Sequence, residues 1–347
     1  MAKNPIDGFE VDPADIRYVG KDLQRPECIL AEPDGSLWSA DARGGVVHIR
    51  PDGTQTLIAQ ALDQRFGATE DEADRFTQGT LPNGLAFDVD GSVLISNFGT
   101  DRLERMTRDG RTTVMLDTID GTPIGKVNFV LRDSRGRIWL TISTRITNWM
   151  QAISPNIADG YVAVVDNQGA RIVADGFKFT NEIRFDAAED WLYVVETTGR
   201  RITRLRIDET AQVLAREVYG PADTGGFIDG IAFDAHGNLW GTHVMSDRIF
   251  AITPQGDFRV ILDDDNPAPS SALYEAFARD AVTPNHMLAC GGTIAPWFAS
   301  VTFGGPDLTT LLVTTSSLGR AAGDRLAGGL FAIETDVRGL PENRFAL

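Results

Sequence analysis

A unit made of a strand, a tight turn and two further strands recurs six times along this chain of 347 residues. The strand that follows the turn has a similar apolar pattern in every copy: LWSAD, VLISN, IWLTI, LYVVE, LWGTH and LLVTT. Successive side chains in these segments point to opposite faces, as in strands that pack one face on a neighbour. Repeats of four-stranded units are the signature of a β-propeller. The sequence therefore predicts an all-β fold, a six-bladed β-propeller with four-stranded blades around a central channel.

A propeller requires its chain ends to meet, because an unpaired outer strand leaves an exposed edge. Residues 16–19 are predicted to supply the outer strand of the last blade, which makes residues 1–347 a single domain. Two insertions, residues 61–80 and 143–159, interrupt the repeat, and long loops in compact domains are often lids or binding loops. Residues 271–280 predict a short amphipathic helix.

Aromatic residues recur where the chain leaves the tight turn. We expect them to pack between blades and not to bind a ligand; they are Trp38, Trp139, Tyr193 and Trp240. A second group, Trp149 and Met150, lies in the insertion at 143–159. Two interpretations are open for this pair: the side chains cover a pocket, or they pack on the surface of a blade.

Five residues with oxygen-bearing side chains occupy the same position in five of the repeats. They are Glu27, Asn83, Asn128, Asn181 and Asp229, and each precedes the same point of the turn (Gly35, Gly91, Gly136, Glu189 and Gly237) by eight residues. Equal offsets in equal repeats place side chains at equivalent points around an axis. We therefore expect these five residues, named here the inner ring, to converge at one mouth of the channel. The nearest polar residue in the sixth repeat is Ser300, so the ring is predicted to be open there, where part of a substrate would fit.

The chemical composition of the inner ring indicates a metal ion. Two carboxylates that face one another repel, and a divalent cation relieves that repulsion. With oxygen ligands and no histidine or cysteine, Ca²⁺ is favoured, and Mg²⁺, Mn²⁺ and Zn²⁺ are the other candidates. One alternative is open: Asn83-Gly84 and Asp229-Gly230 are turn dipeptides, so backbone conformation alone would explain these two residues.

The chain is acidic, with a formal net charge of −17. This charge repels nucleic acids and anionic membranes, so neither is a predicted partner. The sequence has no stretch near the roughly 20 apolar residues of a membrane span and no basic region followed by an apolar run at its start, so the expected location is cytoplasmic. Cys28 and Cys290 lack the spacing of a metal site or disulfide framework and are expected to be buried apolar groups. The oligomeric state is left open.

Four segments together resemble the SMP-30/gluconolactonase family of six-bladed propellers, which includes senescence marker protein-30 and bacterial sugar lactonases. The segments are LPNGLAFDVDGSVLISNFG, GKVNFVLRDSRGRIWLT, FTNEIRFDAAEDWLYVVET and IDGIAFDAHGNLWGT. The resemblance extends from about residue 20 to residue 340. It implies a lactonase that uses one divalent metal ion.

The resemblance also implies roles for individual residues. The metal ligands of the family match Glu27, Asn181 and Asp229, and a substrate-contacting asparagine beside the metal matches Asn128. Some members have a sugar-binding arginine two residues before that asparagine, where this chain has Lys126. Asn83 shares the offset, either as a turn residue or as part of the pocket wall.

Two departures from the family pattern bear on the substrate. Glu27 is followed by Cys28-Ile29 in place of the usual Gly-Pro, and Asn128 is followed by Phe129 in place of Asp. Loss of this Asp and of the arginine favours a smaller or more apolar lactone over the lactone of a polyhydroxylated sugar acid.

The predicted function is metal-dependent opening of a lactone ring. The metal polarises the carbonyl and activates water, Asp229 is the candidate general base, and Asn128 and Lys126 orient the substrate. Three alternatives are open, because a fold does not fix a function. They are a metal-dependent phosphotriesterase or other hydrolase, an isomerase or elimination catalyst, and a non-catalytic binding propeller.

Overall fold

The structure, a computed structural model, describes residues 4–60, 79–316 and 329–341. Across these residues, six four-stranded antiparallel sheets form the blades, and one two-stranded hairpin lies outside them. Each innermost strand contacts the innermost strand of the next blade, which closes the ring around a central channel. The predicted six-bladed β-propeller is confirmed.

Within each blade the strands are given from the channel outwards. The first three blades are β2 (Ile29–Ala31), β3 (Leu37–Asp41), β4 (Gly45–Ile49) and β5 (Gln55–Ala59); β6 (Pro82–Phe87), β7 (Val93–Asn97), β8 (Arg102–Met106) and β9 (Thr112–Leu116); β12 (Val127–Arg132), β13 (Ile138–Ile142), β14 (Gly160–Asp166) and β15 (Gly169–Phe177). The last three blades are β16 (Thr180–Phe185), β17 (Trp191–Glu196), β18 (Arg201–Ile207) and β19 (Val213–Tyr219); β20 (Ile228–Phe233), β21 (Leu239–His243), β22 (Arg248–Ile252) and β23 (Phe258–Asp263); β24 (Phe298–Gly304), β25 (Thr310–Thr315), β26 (Leu330–Glu334) and β1 (Arg17–Val19).

The sixth blade takes its outer strand from the opposite end of the chain. Strand β1 pairs antiparallel with β26, with Arg17 opposite Ala332 and Val19 opposite Leu330. This pairing covers the outer edge of β26, which would otherwise present unpaired N–H and C=O groups.

The tight turn between the first and second strands requires left-handed backbone. The φ angles of Gly35, Gly91, Gly136 and Gly237 lie between 80° and 87°, and that of Glu189 is 57°. Glycine adopts this region without steric cost, whereas an L side chain rarely does. Because the conformation is the same in all five turns, the eight-residue offset leads back to equivalent points at or just before the start of the innermost strands.

Each of the four aromatic residues at the turn exits packs edge-on against a phenylalanine of the next blade. The pairs are Trp38 with Phe87, Trp139 with Phe185, Tyr193 with Phe233 and Trp240 with Phe303, with ring centroids 4.8 to 6.2 Å apart. The indoles also donate to carboxylates six residues earlier, Trp38 to Glu32, Trp139 to Asp133 and Trp240 to Asp234. Packing between blades, as predicted, is therefore confirmed for these residues.

The insertions place short helices near one end of the channel. The insertion at 143–159 carries a 3₁₀ helix, Trp149–Ala152, and the last insertion carries α1 (Pro267–Ala278) and α2 (Pro284–Leu288). Helix α1 begins before the predicted residue 271 because Pro267, with its fixed φ, suits the first helical position. Residues 61–78 of the first insertion lie outside the described residues.

The remaining elements are small: a 3₁₀ helix at Pro13–Asp15 and the hairpin of β10 (Thr118–Ile119) and β11 (Thr122–Pro123). Cys28 and Cys290 are both buried, as expected. Within the described ranges, no helix has the length and apolarity needed to cross a membrane.

Candidate functional site

A β-bulge at the start of the innermost strand aims the inner-ring side chains at the channel. The pairing register shifts at this point in four of the blades that carry a ring residue, and the shifts enclose Asn83, Asn128, Asn181 and Asp229. A bulge inserts an extra residue into one strand and re-aims its side chain. The repeated bulge is therefore the local reason why residues at one offset converge.

The ring is open at the sixth blade, as the sequence indicates. The same bulge occurs there between Phe298 and Val301, and its second residue, equivalent to Asn181 or Asp229, is Ala299. Ser300, the nearest polar residue in the sequence, is one position further along and is buried. The sixth blade contributes Ser316, which follows β25, to the cavity that the inner-ring residues line.

The turn-dipeptide explanation of Asn83-Gly84 and Asp229-Gly230 is wrong. Both pairs lie within the innermost strands β6 and β20. A Cβ on Gly84 would lie 2.6 Å from Phe129 Cα, and one on Gly230 would lie 2.4 Å from Ser300 Cα. These glycines therefore permit close approach of adjacent innermost strands, and Asn83 and Asp229 are not explained by a turn.

All five inner-ring residues line one cavity of about 570 Å³, counted with its open mouth. Their side chains are well shielded, with residue exposures of 4 to 9%. Arg25, Thr197 and Ser316 complete its polar lining, and eight apolar residues line the rest. Trp149 is among the apolar residues, which decides its two interpretations in favour of a pocket wall. Its neighbour Met150 is half-buried and packs against the hydrophobic cluster to which Trp149 belongs.

The two carboxylates of the ring are buried close enough to affect one another. Burial, followed by the charges of Glu27 and Glu182, raises the pKa of Asp229 well above its usual range. Burial also raises the pKa of Glu27, opposed by Arg25 and by a hydrogen bond with Ser316. The ionised pair therefore needs a positive charge beyond Arg25.

The asparagines are held by their neighbours, with oxygen atoms left over. Asn83 Nδ2 donates to the carbonyl of Asn128 at 3.0 Å, and Asn181 Nδ2 donates to Thr197 Oγ1 at 3.1 Å. Asn181 also hydrogen-bonds Asp229. The Oδ1 atoms of Asn83 and Asn128 are buried without a hydrogen-bond partner among the described residues. Such atoms are rare in folded proteins and indicate that a ligand or ion belongs beside them.

Lys126 is not brought to the ring. Its Nζ lies 2.9 Å from Asp101 Oδ1 and 5.8 Å from the ring centre of Phe98, which itself lines the cavity. The ion pair with Asp101 engages the ammonium, and Lys126 is not among the residues that line the cavity, whereas the family resemblance implied that it binds the substrate.

Arg25 is a charged cavity residue that the sequence analysis did not predict. Its Nη2 lies 2.7 Å from Glu27 Oε1, while Nε and Nη1 are buried without a hydrogen-bond partner in the described residues. Its φ is 50°, and its carbonyl accepts a hydrogen bond from Glu27 N across Pro26 at 2.8 Å. Left-handed backbone at a non-glycine residue is uncommon and concentrates at functional sites. A basic residue two positions before a candidate ligand was the signal in the sequence, but its inward turn depends on this backbone geometry.

The inner ring fits a hard divalent cation, held by ligands whose total negative charge is modest. Within the described residues, no three or more His, Cys, Asp or Glu side chains are gathered as a metal cluster. An ion here would be held by Glu27 and Asp229 together with the amide oxygen of Asn181. Carboxylate and amide oxygens suit Ca²⁺ or Mg²⁺, and burial, the main cause of the raised pKa values of both carboxylates, disfavours their charged forms unless a cation lies beside them.

The fold and the cavity define a class: a six-bladed propeller with a ring of carboxylates and amides in one mouth of its channel. Residues 113–272 match the family model described as the SMP-30/Gluconolactonase/LRE-like region. The resemblance seen in the sequence is confirmed over this segment, which is similar to the SMP-30/gluconolactonase family.

Two curated proteins and a solved structure illustrate the relationship. The 6-deoxy-6-sulfogluconolactonase of Pseudomonas putida is 27% identical over 183 residues, which is 51% of this chain and 53% of that protein. The pentonolactonase XacC of Haloferax volcanii is 27% identical over 273 residues, 75% of this chain and 79% of that protein. The chain thus matches about half the length of the first relative.

The structural comparison supports the fold. Regucalcin from Agrobacterium tumefaciens, described as a calcium-binding protein, superimposes with a TM-score of 0.66 at 17% identity over 95% of this chain and 98% of that one.

Proposed function

We propose that this protein is a divalent-metal-dependent hydrolase that opens the ring of a lactone. The observation that carries the proposal is the convergence of Glu27, Asn128, Asn181 and Asp229 in one cavity at the channel mouth. The names of two curated relatives, a 6-deoxy-6-sulfogluconolactonase and a pentonolactonase, support lactones as the substrate class.

Glu27, Asn181 and Asp229 are the proposed ligands of the metal ion, and Ca²⁺ is the preferred ion for this oxygen donor set. A bound divalent cation would polarise the lactone carbonyl, acidify a water molecule and offset the negative charge of the two buried carboxylates. The calcium-binding description of the regucalcin with the same fold agrees with this choice.

The residues of the cavity supply the remaining steps. The oxygen of a water molecule attacks the carbonyl carbon while Asp229 accepts its proton. The ring C–O bond then breaks, and that proton passes to the leaving alkoxide, so that lactone and water give one hydroxy acid. Arg25 presents Nε and Nη1 to the developing oxyanion, and the Asn128 amide orients the substrate. Asp229 acts as a base through its carboxylate, so no covalent intermediate with the protein is needed.

Acid release from a lactone panel tests this function. Purified protein with Ca²⁺, Mn²⁺ or Zn²⁺ should release acid in a pH-stat above the spontaneous rate, and Asp229→Asn should abolish the excess. Asp52→Asn, an exposed turn substitution, is the control for the same chemical change. A paraoxon-type ester distinguishes a phosphotriesterase, and mass analysis for an added water distinguishes hydrolysis from isomerisation or elimination. Activity on none of the lactones would reject the proposal in favour of these alternatives or of a binding propeller.

A further inference from the structure

The geometry points to a lactone that carries an apolar group, an alkyl chain or an aromatic ring, and not a hydroxyl on every carbon. This inference rests on the proposed lactone hydrolysis and specifies its substrate class. Its basis is the division of the cavity into two chemically distinct parts. One part is the inner ring with Arg25, and the other is a set of large apolar side chains, named here the apolar wall.

The apolar wall comes from segments that connect strands, either within a blade or between blades. Its main members are Phe98 after β7, Trp149 of the 3₁₀ helix, Phe179 before β16, Phe227 before β20, Met245 after β21 and Met287 of α2. All six residues are buried to at least nine-tenths and belong to one hydrophobic cluster. The insertions that produce the 3₁₀ helix and the helix pair are therefore used to build one side of the cavity.

The wall is a packed surface. Trp149 lies between Phe98 and Phe179, with ring centroids 5.8 and 6.2 Å away, and Phe227 packs edge-on against Phe277 of α1 at 4.9 Å. Such edge-to-face and tilted contacts hold the rings in place. A ligand group that enters here therefore meets a preformed apolar surface of the kind that binds alkyl and aryl groups.

Several polar side chains of the cavity already have hydrogen-bond or ion-pair partners. Thr197 Oγ1 accepts from Asn181 and donates to the carbonyl of Ile228, and Glu27 is engaged by Arg25 and Ser316. The fully buried cavity atoms without a hydrogen-bond partner in the described residues include Nε and Nη1 of Arg25 and the Oδ1 atoms of Asn83 and Asn128. These atoms suffice for the ester group of a lactone. Each hydroxyl of a sugar lactone placed against the wall would lose its hydrogen bonds to water, and this loss would lower the affinity about tenfold.

The test compares three γ-lactones that share a five-membered ring. γ-Butyrolactone has no substituent, γ-octalactone carries a butyl chain, and ribono-γ-lactone carries hydroxyl groups. We expect kcat/KM for γ-octalactone to exceed that of the other two by about tenfold or more, since added methylenes in an apolar pocket have effects of this size. The same assay on Met287→Ala should reduce the ratio of kcat/KM for γ-octalactone to that for γ-butyrolactone by about threefold to tenfold.

A neighbouring residue gives the control. Leu288 follows Met287 on α2 but is 37% exposed and is not part of the wall. Leu288→Ala should leave the ratio unchanged, which separates loss of the wall from a disturbance of the helix. Equal or better turnover of ribono-γ-lactone, or a ratio that Met287→Ala does not alter, overturns the apolar assignment while lactone hydrolysis stands. If the protein hydrolyses neither these three lactones nor larger sugar lactones, the proposed function is rejected and this inference with it.

Discussion

Arg25 and Glu27 form an ion pair at the channel mouth, with 2.7 Å between Nη2 and Oε1 and only 9% of each side chain exposed. The pair places one positive charge beside two buried carboxylates, Glu27 and Asp229. The other guanidinium nitrogens of Arg25, Nε and Nη1, are buried and have no hydrogen-bond partner in the described part of the chain. In the proposed mechanism, this arrangement links the electrostatic balance of the ring to the binding of a substrate oxygen.

Substitution of Arg25 should impair turnover strongly. Arg25→Met removes the donors for the developing oxyanion, and we expect kcat/KM to fall by about 10²-fold or more, as for the loss of an oxyanion donor. Arg25→Lys keeps the charge but loses the planar fork, so an intermediate loss is expected. Steady-state kinetics with the best lactone of the panel measure both. Equal activity of the methionine variant and the wild type would exclude this role.

Divalent metal should stabilise the protein against unfolding through the inner ring. Ca²⁺ at about 100 times its Kd should add about 2.7 kcal/mol, visible as a rise in Tm, because it binds only the folded state. Glu27→Gln and Asn181→Ala should each weaken metal affinity in calorimetric titration. Asp52→Asn, in an exposed turn, is the control and should respond as the wild type. Full activity of protein shown by elemental analysis to be metal-free would contradict the metal dependence.

His243 should make the protein less stable in mild acid. Burial, followed by Arg248 and Arg200, lowers the pKa of His243 to about 3, and its Nε2 lies 3.0 Å from Thr224 Oγ1. An unfolded histidine titrates near 6.5, so between about pH 6.5 and 3 only the unfolded state takes up this proton. Stability should therefore fall on acidification through this window, by up to about 1.4 kcal/mol per pH unit, and be unaffected by this group above it.

The measurement is urea denaturation at several pH values for the wild type and His243→Gln. The carboxylates contribute equally to both proteins, so the difference between the two slopes isolates the histidine. Parallel curves from about pH 7 to pH 5 would show that His243 is not held neutral.

The aromatic contacts between blades should contribute much of the stability. Trp139→Ala removes a fully buried indole, its contact with Phe185 and its hydrogen bond to Asp133, and should cost about 3–5 kcal/mol in the free energy of unfolding. Trp191→Ala in β17 is the comparison, because this indole is only half-buried. It should cost clearly less in the same denaturation experiment, and equal losses would contradict the assignment.

The repeat made most of the architecture predictable. Apolar alternation and glycine at the turns gave six blades, because strand periodicity and positive φ are local properties that a sequence displays directly. The aromatic residues at the turn exits were assigned correctly to packing for the same reason: one position in each repeat faces the next blade. The inner ring was also predictable, since a constant offset and a repeated bulge lead to one place.

Other parts of the site depend on contacts between distant segments. The sequence suggested that Gly84 and Gly230 are turn residues. In the structure, a Cβ at these positions would lie only 2.6 and 2.4 Å from a Cα atom of the neighbouring innermost strand, so the glycines permit the strands to pack closely. Lys126 was predicted at the substrate, but Asp101 captures its ammonium. Arg25 enters the cavity through a left-handed backbone that its own identity does not favour.

By itself the sequence determined the propeller, the packing between its blades and the positions of the inner ring, because each follows from short-range periodicity repeated around an axis. Only the tertiary structure decided which charged groups reach the cavity and that aromatic and methionine side chains from separate segments of the chain form one apolar wall. Those outcomes depend on the competition of side chains for partners across blades, and neither spacing nor composition records that competition.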